Sequence, residues 1–140
     1  MRIVVDPNVL VAALRRPAGV NREVIRACAG ARVLPLVGEK SFLEYESALN
    51  RAHLFENCPL ASREREQFLD GFLRVCEWVS VSYLWRPNLP DEGDNHVLEL
   101  AVAGMAEVVV TANTRDFAGG ELRFPTVAIM TPRQFLARIT

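Results

Sequence analysis

The sequence holds few of the residues that build disulfide frameworks or zinc sites. Its three cysteines, Cys28, Cys58 and Cys76, are odd in number and form no C-x-x-C pair. We therefore expect reduced thiols in a cytoplasmic protein rather than disulfides. The two histidines, His53 and His96, lie far apart, which disfavours a Cys/His zinc site. A fold without these cross-links must be held together by apolar packing.

Long hydrophobic segments are also missing. The apolar run nearest the N-terminus, residues 9–14, is too short for a signal-peptide core or a membrane span, so we expect no membrane attachment. The formal net charge is only -1, and Lys40 is the one lysine among 16 basic residues. This balance argues against coating nucleic acid by bulk charge, although it allows a local basic rim.

What the sequence does have is enough apolar material for one domain spanning residues 1–140. Half of the 140 residues are hydrophobic. Short β-branched runs alternate with segments of helical periodicity. The predicted strands are 3–5, 33–37, 78–84, 108–111 and 126–130, and the predicted helices are 9–14, 21–28, 41–52, 62–76, 94–103 and a last one opened by Pro132. This order predicts a three-layer α/β/α fold with a central, mostly parallel sheet of four to five strands.

Three single residues bear on the boundaries of these elements. Pro35 weakens the second strand because proline cannot donate to a sheet ladder. Ser62 is the expected N-cap of the long amphipathic helix. Gly104 is expected to terminate the helix that begins at Asp94.

Acidic side chains follow two of the predicted strands. Asp6 comes directly after the first strand, Asp116 follows the strand 108–111, and Asp94 begins the helix that leads into that strand. Because the carboxyl ends of parallel strands meet at one edge of the sheet, we expect these carboxylates to lie close together. Hard oxygen ligands without sulfur or paired histidine predict Mg²⁺ or Mn²⁺.

Each of these acids also has a purely local interpretation. Asp6 and Asp94 are both in positions that suit helix caps, and Asp116 suits a turn. Against the local interpretation of Asp94, the residues that share its helical face are the apolar Val97 and Leu98, so that face must point inward. His96 is expected to point away from Asp94 on this helix and is given no role.

A glutamate from the helix 41–52 is a further candidate. Glu44 and Glu46 both lie beside the apolar stripe of that helix. The helical pattern does not choose between them, and an exposed charge is the common state of a helical glutamate.

Five blocks of the chain, taken in order, resemble the PIN domains, in particular the VapC-like ribonucleases that are toxins of toxin–antitoxin pairs. The blocks are IVVDPNVL (3–10), FLEYE (42–46), DEGDNHVLELA (91–101), VTANTRDF (110–117) and MTPRQFL (130–136). Together they extend over nearly the whole chain. The resemblance implies a PIN-like fold and an Mg²⁺- or Mn²⁺-dependent endoribonuclease.

The resemblance also assigns residues and partners. It places the catalytic and metal-binding acids at Asp6, Glu44, Asp94 and Asp116. Supporting polar residues fall on three further positions of the motifs: Asn8, Thr111 and Asn113. It implies RNA hydrolysis by metal-activated water, an antitoxin protein that blocks the acidic groove, and a homodimer. Three arginines near the motifs are candidates for phosphate contacts, although ordinary surface charge is the more common role for each taken singly: Arg15, Arg16 and Arg115.

Two departures from the family pattern support a second hypothesis. Pro7 occupies a position that usually carries Thr or Ser, and Asn113 occupies one that often carries a second Asp. The alternative is therefore a catalytically weak or inactive PIN-fold module that binds RNA or a protein partner. A phosphatase with Asp6 as nucleophile is a weaker third hypothesis, because Asn8 stands where that chemistry usually needs another Asp.

Overall fold

Five strands form one central sheet in a computed structural model that describes residues 1–81, 92–118 and 124–140, without the side chains of 92–95. The strands are β1 (Arg2–Val5), β2 (Leu34–Val37), β3 (Glu77–Trp78), β4 (Val108–Val110) and β5 (Ala128–Met130). Their order is β3-β2-β1-β4-β5, and every neighbouring pair is parallel. The predicted parallel α/β sheet is confirmed.

Six α-helices in the described part of the chain complete the architecture. They are α1 (Pro7–Arg15), α2 (Val20–Ala29), α3 (Glu39–Leu49), α4 (Ser62–Val75), α5 (Glu92–Ala103) and α6 (Pro132–Ile139). Short 3-10 turns occur at Ala52–Phe55 and Thr114–Phe117. None of the described helices has both the length and the apolar content that crossing a bilayer requires.

The sheet separates two hydrophobic cores, as the alternation along β1 shows. Ile3 and Val5 belong to the core shared with α1 to α4 and α6, whereas Val4 belongs to the core beneath α5. All three side chains are at most 1% exposed. A strand that is apolar at every position is buried on both faces because successive side chains point to opposite sides.

Pro35 is accommodated in β2 without the loss of a ladder hydrogen bond. The Leu34 N–H donates towards β1, to the Met1 carbonyl, at 2.8 Å, so the backbone of Pro35 faces the other neighbour, β3. That strand begins opposite Leu36 and therefore has no acceptor beside Pro35. The expected weakening is avoided because β3 is only two residues long. The strand predicted at 78–84 is correspondingly shorter, and its residues 82–84 lie outside the described residues.

Of two predicted helix boundaries, the first was wrong and the second is confirmed. The N-cap of α4 is Ala61, whose N–H donates to Glu64 at 2.9 Å, and Ser62 is the first helical residue. The predicted end of α5 is confirmed, since the helix ends at Ala103 immediately before Gly104. The residue with a left-handed φ is the next one, Met105 (φ 55°). Gly104 is required for a different reason: a Cβ at this position would lie 2.4 Å from Leu36 Cδ1.

The chain reverses its direction across the sheet between β1 and β4. From β1 it proceeds outwards to β2 and β3, and it then returns to add β4 and β5 on the opposite side of β1. The connections leaving β1 and β4 therefore diverge and leave a crevice beyond the carboxyl ends of these two strands. Asp6 follows β1 and Thr111 follows β4, so both lie at this switch point.

Candidate active site

Asp6 is buried at the end of β1, with a carboxylate held by two different elements. It is only 4% exposed. Its Oδ1 accepts a hydrogen bond from the Asn8 N–H at 3.1 Å, and its Oδ2 accepts one from the Thr111 hydroxyl at 2.6 Å. The first contact caps α1, as the local interpretation predicts. The second reaches across the sheet, so Asp6 is a helix cap and a switch-point residue at the same time.

Thr111 connects the ends of β1 and β4. Its side chain is fully buried; besides donating to Asp6, its hydroxyl accepts a hydrogen bond from the Asn113 N–H at 3.0 Å. The Asp6 N–H donates to the Val110 carbonyl at 3.0 Å. These contacts hold the carboxylate plane in one orientation and fix the start of the loop after β4. Asn113 takes part through its backbone, and its side chain is exposed.

Tyr45 anchors α3 to the same end of β1. Its hydroxyl donates to the Val5 carbonyl at 2.6 Å, and its ring meets Phe72 edge-on with centroids 5.7 Å apart. Burial raises the pKa of Tyr45 well above its ordinary value, and the nearby charges of Cys76 and Asp6 act in the same direction. The phenol therefore stays protonated as a donor. Since Glu44 precedes Tyr45, this contact also fixes the helical turn that carries Glu44.

A cleft of about 370 Å³ opens beside Asp6. We call it the α1–α3 cleft, because these two helices and the segment after α3 supply most of its walls. His96 and Val97 of α5 line one side. Its lining consists of Asp6, Pro7, Asn8, Val11, Glu44, Ala48, Arg51, Leu54, His96 and Val97.

The cleft lining decides which of Glu44 and Glu46 lies near Asp6, a choice that the helical pattern did not make. Glu44 and Ala48 line the cleft at a spacing of four residues, so they share one face of α3. Glu46 lines a different cavity, between α3 and α4, together with Glu66 and Asp70. Glu44 is therefore the glutamate of α3 that shares a cavity with Asp6.

The other two predicted acids are not brought into this cleft by the described residues. Asp116 is exposed on the 3-10 turn Thr114–Phe117 and is not part of the lining. Asp94 lies in the first turn of α5, and its side chain is outside the described residues. Their membership of the site stays a prediction. The predicted phosphate contacts are likewise exposed and absent from the cleft lining: Arg15, Arg16 and Arg115.

Two residues of the cleft were missed from the sequence. His96 lines it although it was expected to point away from Asp94, because the cleft lies at the side of α5 that packs towards α3. Arg51 lies seven residues after Glu44, a spacing that returns to the same helical face. That periodicity was readable in the sequence once Glu44 was chosen over Glu46.

The donor set of the cleft suits a hard divalent cation. Asp6 and Glu44 contribute carboxylate oxygens, and no cysteine lines the cavity. Mg²⁺ and Mn²⁺ prefer such ligands. Among the side chains that the structure describes, no three from His, Cys, Asp and Glu group closely enough to hold a metal. A third carboxylate would come from Asp94 or Asp116.

Comparisons with known proteins agree with this architecture. The family model of the PIN domain matches residues 2–115, so the chain belongs to the PIN domain family. No curated protein matches the sequence.

Among solved structures, the fold is similar to a chain in the crystal structure of VapBC2 from Rickettsia felis bound to a DNA fragment from their promoter. The TM-score is 0.61 and the sequence identity is 14%, over 92% of this chain and 97% of that one. At this identity the match shows a shared PIN-like fold.

Proposed function

We propose that this chain is a metal-dependent endoribonuclease and the toxin of a toxin–antitoxin pair. The observation that carries the proposal is the pair of carboxylates, Asp6 and Glu44, in one cleft at the switch point of a parallel sheet. PIN domains are generally nucleases that use divalent metals, which supports the same chemistry here.

In this proposal Asp6, Glu44, Asp94 and Asp116 hold Mg²⁺ or Mn²⁺. When bound, the metal supplies the Lewis acidity that lowers the pKa of a water molecule and neutralises charge on the phosphodiester. The chain's own residues orient the site. The Asn8 N–H and the Thr111 hydroxyl fix the two oxygens of Asp6, which keeps the metal-binding group in place before substrate arrives.

RNA cleavage with and without metal tests this function directly. We expect cleavage of RNA in Mg²⁺ or Mn²⁺, loss of cleavage in excess EDTA, and loss in the variant Asp6→Asn with the fold retained. Calorimetry with Mn²⁺ alone measures metal binding separately. Cleavage by the wild type that persists in excess EDTA would show that the metal mechanism is wrong.

An antitoxin partner, a homodimer and a cytoplasmic location are parts of the same proposal. The antitoxin is suggested by the fold shared with a chain of the VapBC2 structure. Expression of this chain alone in a bacterial host is then expected to arrest growth. Co-expression of a short neighbouring gene is expected to relieve the arrest, and sizing chromatography of the purified chain measures whether it dimerises.

A catalytically weak module that binds RNA or a protein is the second candidate. It is favoured by Pro7 and Asn113, which stand where the family pattern usually has Thr or Ser and often has a second Asp. Metal binding without cleavage of any RNA would support it. The variant Asn113→Asp adds a carboxylate after β4, and a gain of cleavage in this variant would identify the missing charge as the cause.

A further inference from the structure

The α1–α3 cleft has an arginine, Arg51, on the same wall as Glu44. Glu44, Ala48 and Arg51 follow one another at spacings of four and three residues along one face of α3 and its C-terminal extension. The Arg51 N–H donates to the Ala48 carbonyl at 3.2 Å, which continues the helical turn beyond Leu49. At 1.5 Å per residue, the backbone of Arg51 lies roughly 10 Å along this face from that of Glu44.

Six arginines in the described part of the chain contact other residues of the fold through ion pairs, hydrogen bonds or aromatic rings. Arg2, Arg26 and Arg138 pair with glutamates; others donate to main-chain carbonyls or lie over aromatic rings: Arg22, Arg32 and Arg65. Arg51 differs from all of these. Within residues 1–81, 92–118 and 124–140 it has no ion pair, and its side chain is exposed at the cleft.

An exposed guanidinium beside a carboxylate pair is suited to an anion that also binds a metal. Asp6 and Glu44 repel anions until a cation occupies them. A polyanion can place one phosphate on the metal ion held by Asp6 and Glu44 and the neighbouring phosphate on Arg51. It then binds at both ends of the cleft. Guanidinium binds phosphate oxygens through a planar fork with two parallel hydrogen bonds. An acidic peptide offers carboxylates for the same two positions, so the experiment includes one as a competitor.

We propose that Arg51 binds a backbone phosphate of single-stranded RNA next to the phosphodiester that is cleaved. This inference rests on the proposed ribonuclease function. The unstacked bases and riboses of a single strand can pack against apolar side chains, and the cleft lining includes Val11 and Leu54. Contacts to phosphates position a strand without reading its sequence, so Arg51 contributes to affinity for every sequence.

The test compares Arg51→Ala with Arg51→Lys and with the matched control Arg74→Ala. Arg74 is an exposed arginine in the last turn of α4, just before β3 begins, and is absent from the cleft lining. The affinity for a short labelled single-stranded RNA is measured by fluorescence anisotropy with Ca²⁺ in place of Mg²⁺, over a series of salt concentrations. Mn²⁺ binding is measured on every variant by calorimetry.

We expect Arg51→Ala to weaken RNA binding about tenfold and to lower the slope of log K against log salt by about 0.7. Arg51→Lys keeps the charge and the salt slope but loses the two parallel hydrogen bonds of the guanidinium. Its RNA affinity is therefore expected to lie between those of wild type and Arg51→Ala. Arg74→Ala and the Mn²⁺ affinity of all variants are expected to remain unchanged.

Each contrary result has a distinct meaning. Equal RNA affinity and salt slope for Arg51→Ala and wild type would overturn the role of Arg51 while leaving the ribonuclease function intact. If wild type binds Mn²⁺ but neither binds nor cuts RNA, the proposed function fails and this inference fails with it. If a hexaglutamate peptide displaces RNA as well as an RNA of equal charge does, the cleft is a general anion site and the inference is wrong.

Discussion

The hydroxyl of Thr111 donates to Asp6 Oδ2 at 2.6 Å, although the two residues are 105 positions apart in the sequence. The same hydroxyl accepts from the Asn113 N–H, so its proton is directed at the carboxylate. Because Thr111 follows β4 and Asp6 follows β1, the contact exists only when these strands are neighbours. It makes the orientation of Asp6, a proposed metal ligand, a consequence of the strand order.

Removal of this hydroxyl is expected to weaken the metal site without unfolding the protein. Thr111→Val keeps the shape of the buried side chain and deletes the hydroxyl, which donates to Asp6 and accepts from the Asn113 N–H. Groups that orient metal ligands contribute about 10- to 100-fold to metal affinity, so we expect a loss of this size in Mn²⁺ calorimetry. Thr111→Ser should retain the affinity, and Thr126→Val, at an exposed position, serves as the control. Equal Mn²⁺ affinity in the Val and Ser variants would contradict the role.

The two glutamates of α3 provide a matched pair of variants. Glu44→Gln removes a carboxylate from the cleft that contains Asp6, whereas Glu46→Gln removes one from the cavity between α3 and α4. We expect RNA cleavage to fall about tenfold or more in the first variant and to stay at the wild-type rate in the second. Both variants change the same charge on the same helix. A larger loss in Glu46→Gln would show that the wrong glutamate has been assigned.

The hydroxyl of Tyr45 is expected to contribute to stability through a single buried hydrogen bond. Tyr45→Phe keeps the edge-on contact with Phe72 and leaves the Val5 carbonyl without its side-chain donor. The expected loss in the free energy of unfolding is about 1–3 kcal/mol, measured by urea denaturation. A loss below a few tenths of a kcal/mol would mean that water replaces the phenol.

The end of α5 allows a test of two neighbouring residues with opposite requirements. Gly104→Ala places a methyl group 2.4 Å from Leu36 Cδ1, and overpacking of this kind costs about 1–3 kcal/mol. Met105 is 78% exposed with a φ of 55°, so Met105→Gly relieves left-handed strain and removes no buried contact. Urea denaturation should show that only the first variant is destabilised. A comparable loss in the free energy of unfolding in both variants would contradict the opposite requirements of Gly104 and Met105.

The buried thiol of Cys28 and the half-buried thiol of Cys76 predict a loss of stability at alkaline pH. Burial raises the pKa of Cys28 and of Cys76 from the ordinary value of 9.0 to about 12. Below pH 9 both thiols are protonated in the folded and unfolded states, and stability is fully present. Between pH 9 and 12 only the unfolded state ionises, so stability falls by up to about 1.4 kcal/mol per pH unit for each thiol.

Urea denaturation at intervals from pH 8 to 11 measures this fall. The variant Cys28→Ala/Cys76→Ala should show a shallower decline than wild type over the same range, whatever its stability at pH 8. Burial should keep the thiol of Cys28 from alkylation at pH 8 until the protein unfolds, which mass spectrometry can follow. If the free energy of unfolding falls with pH equally steeply in wild type and the double variant, the two thiols are not the cause of the decline.

Local sequence patterns were sufficient for the framework of the protein. The run Ile3-Val4-Val5 is apolar at every position, and this alone predicted a strand buried on both faces. The alternation of such strands with helices predicted the parallel sheet, and hence the edge at which Asp6 lies. Local chemistry also predicted that Asp6 caps α1, since an Asp before Pro7 and Asn8 accepts from the second helical N–H.

Only the tertiary structure decided which side chains share the cleft with Asp6. Glu44 and Glu46 are equivalent in helical periodicity, and the packing of α3 against α1 turns the first towards Asp6 and the second towards α4. The same packing brings in Arg51 and His96, and the pairing of β4 with β1 brings Thr111 to Asp6. Periodicity fixes which residues of a helix share a face, but the orientation of that face depends on neighbouring elements that are distant in the sequence.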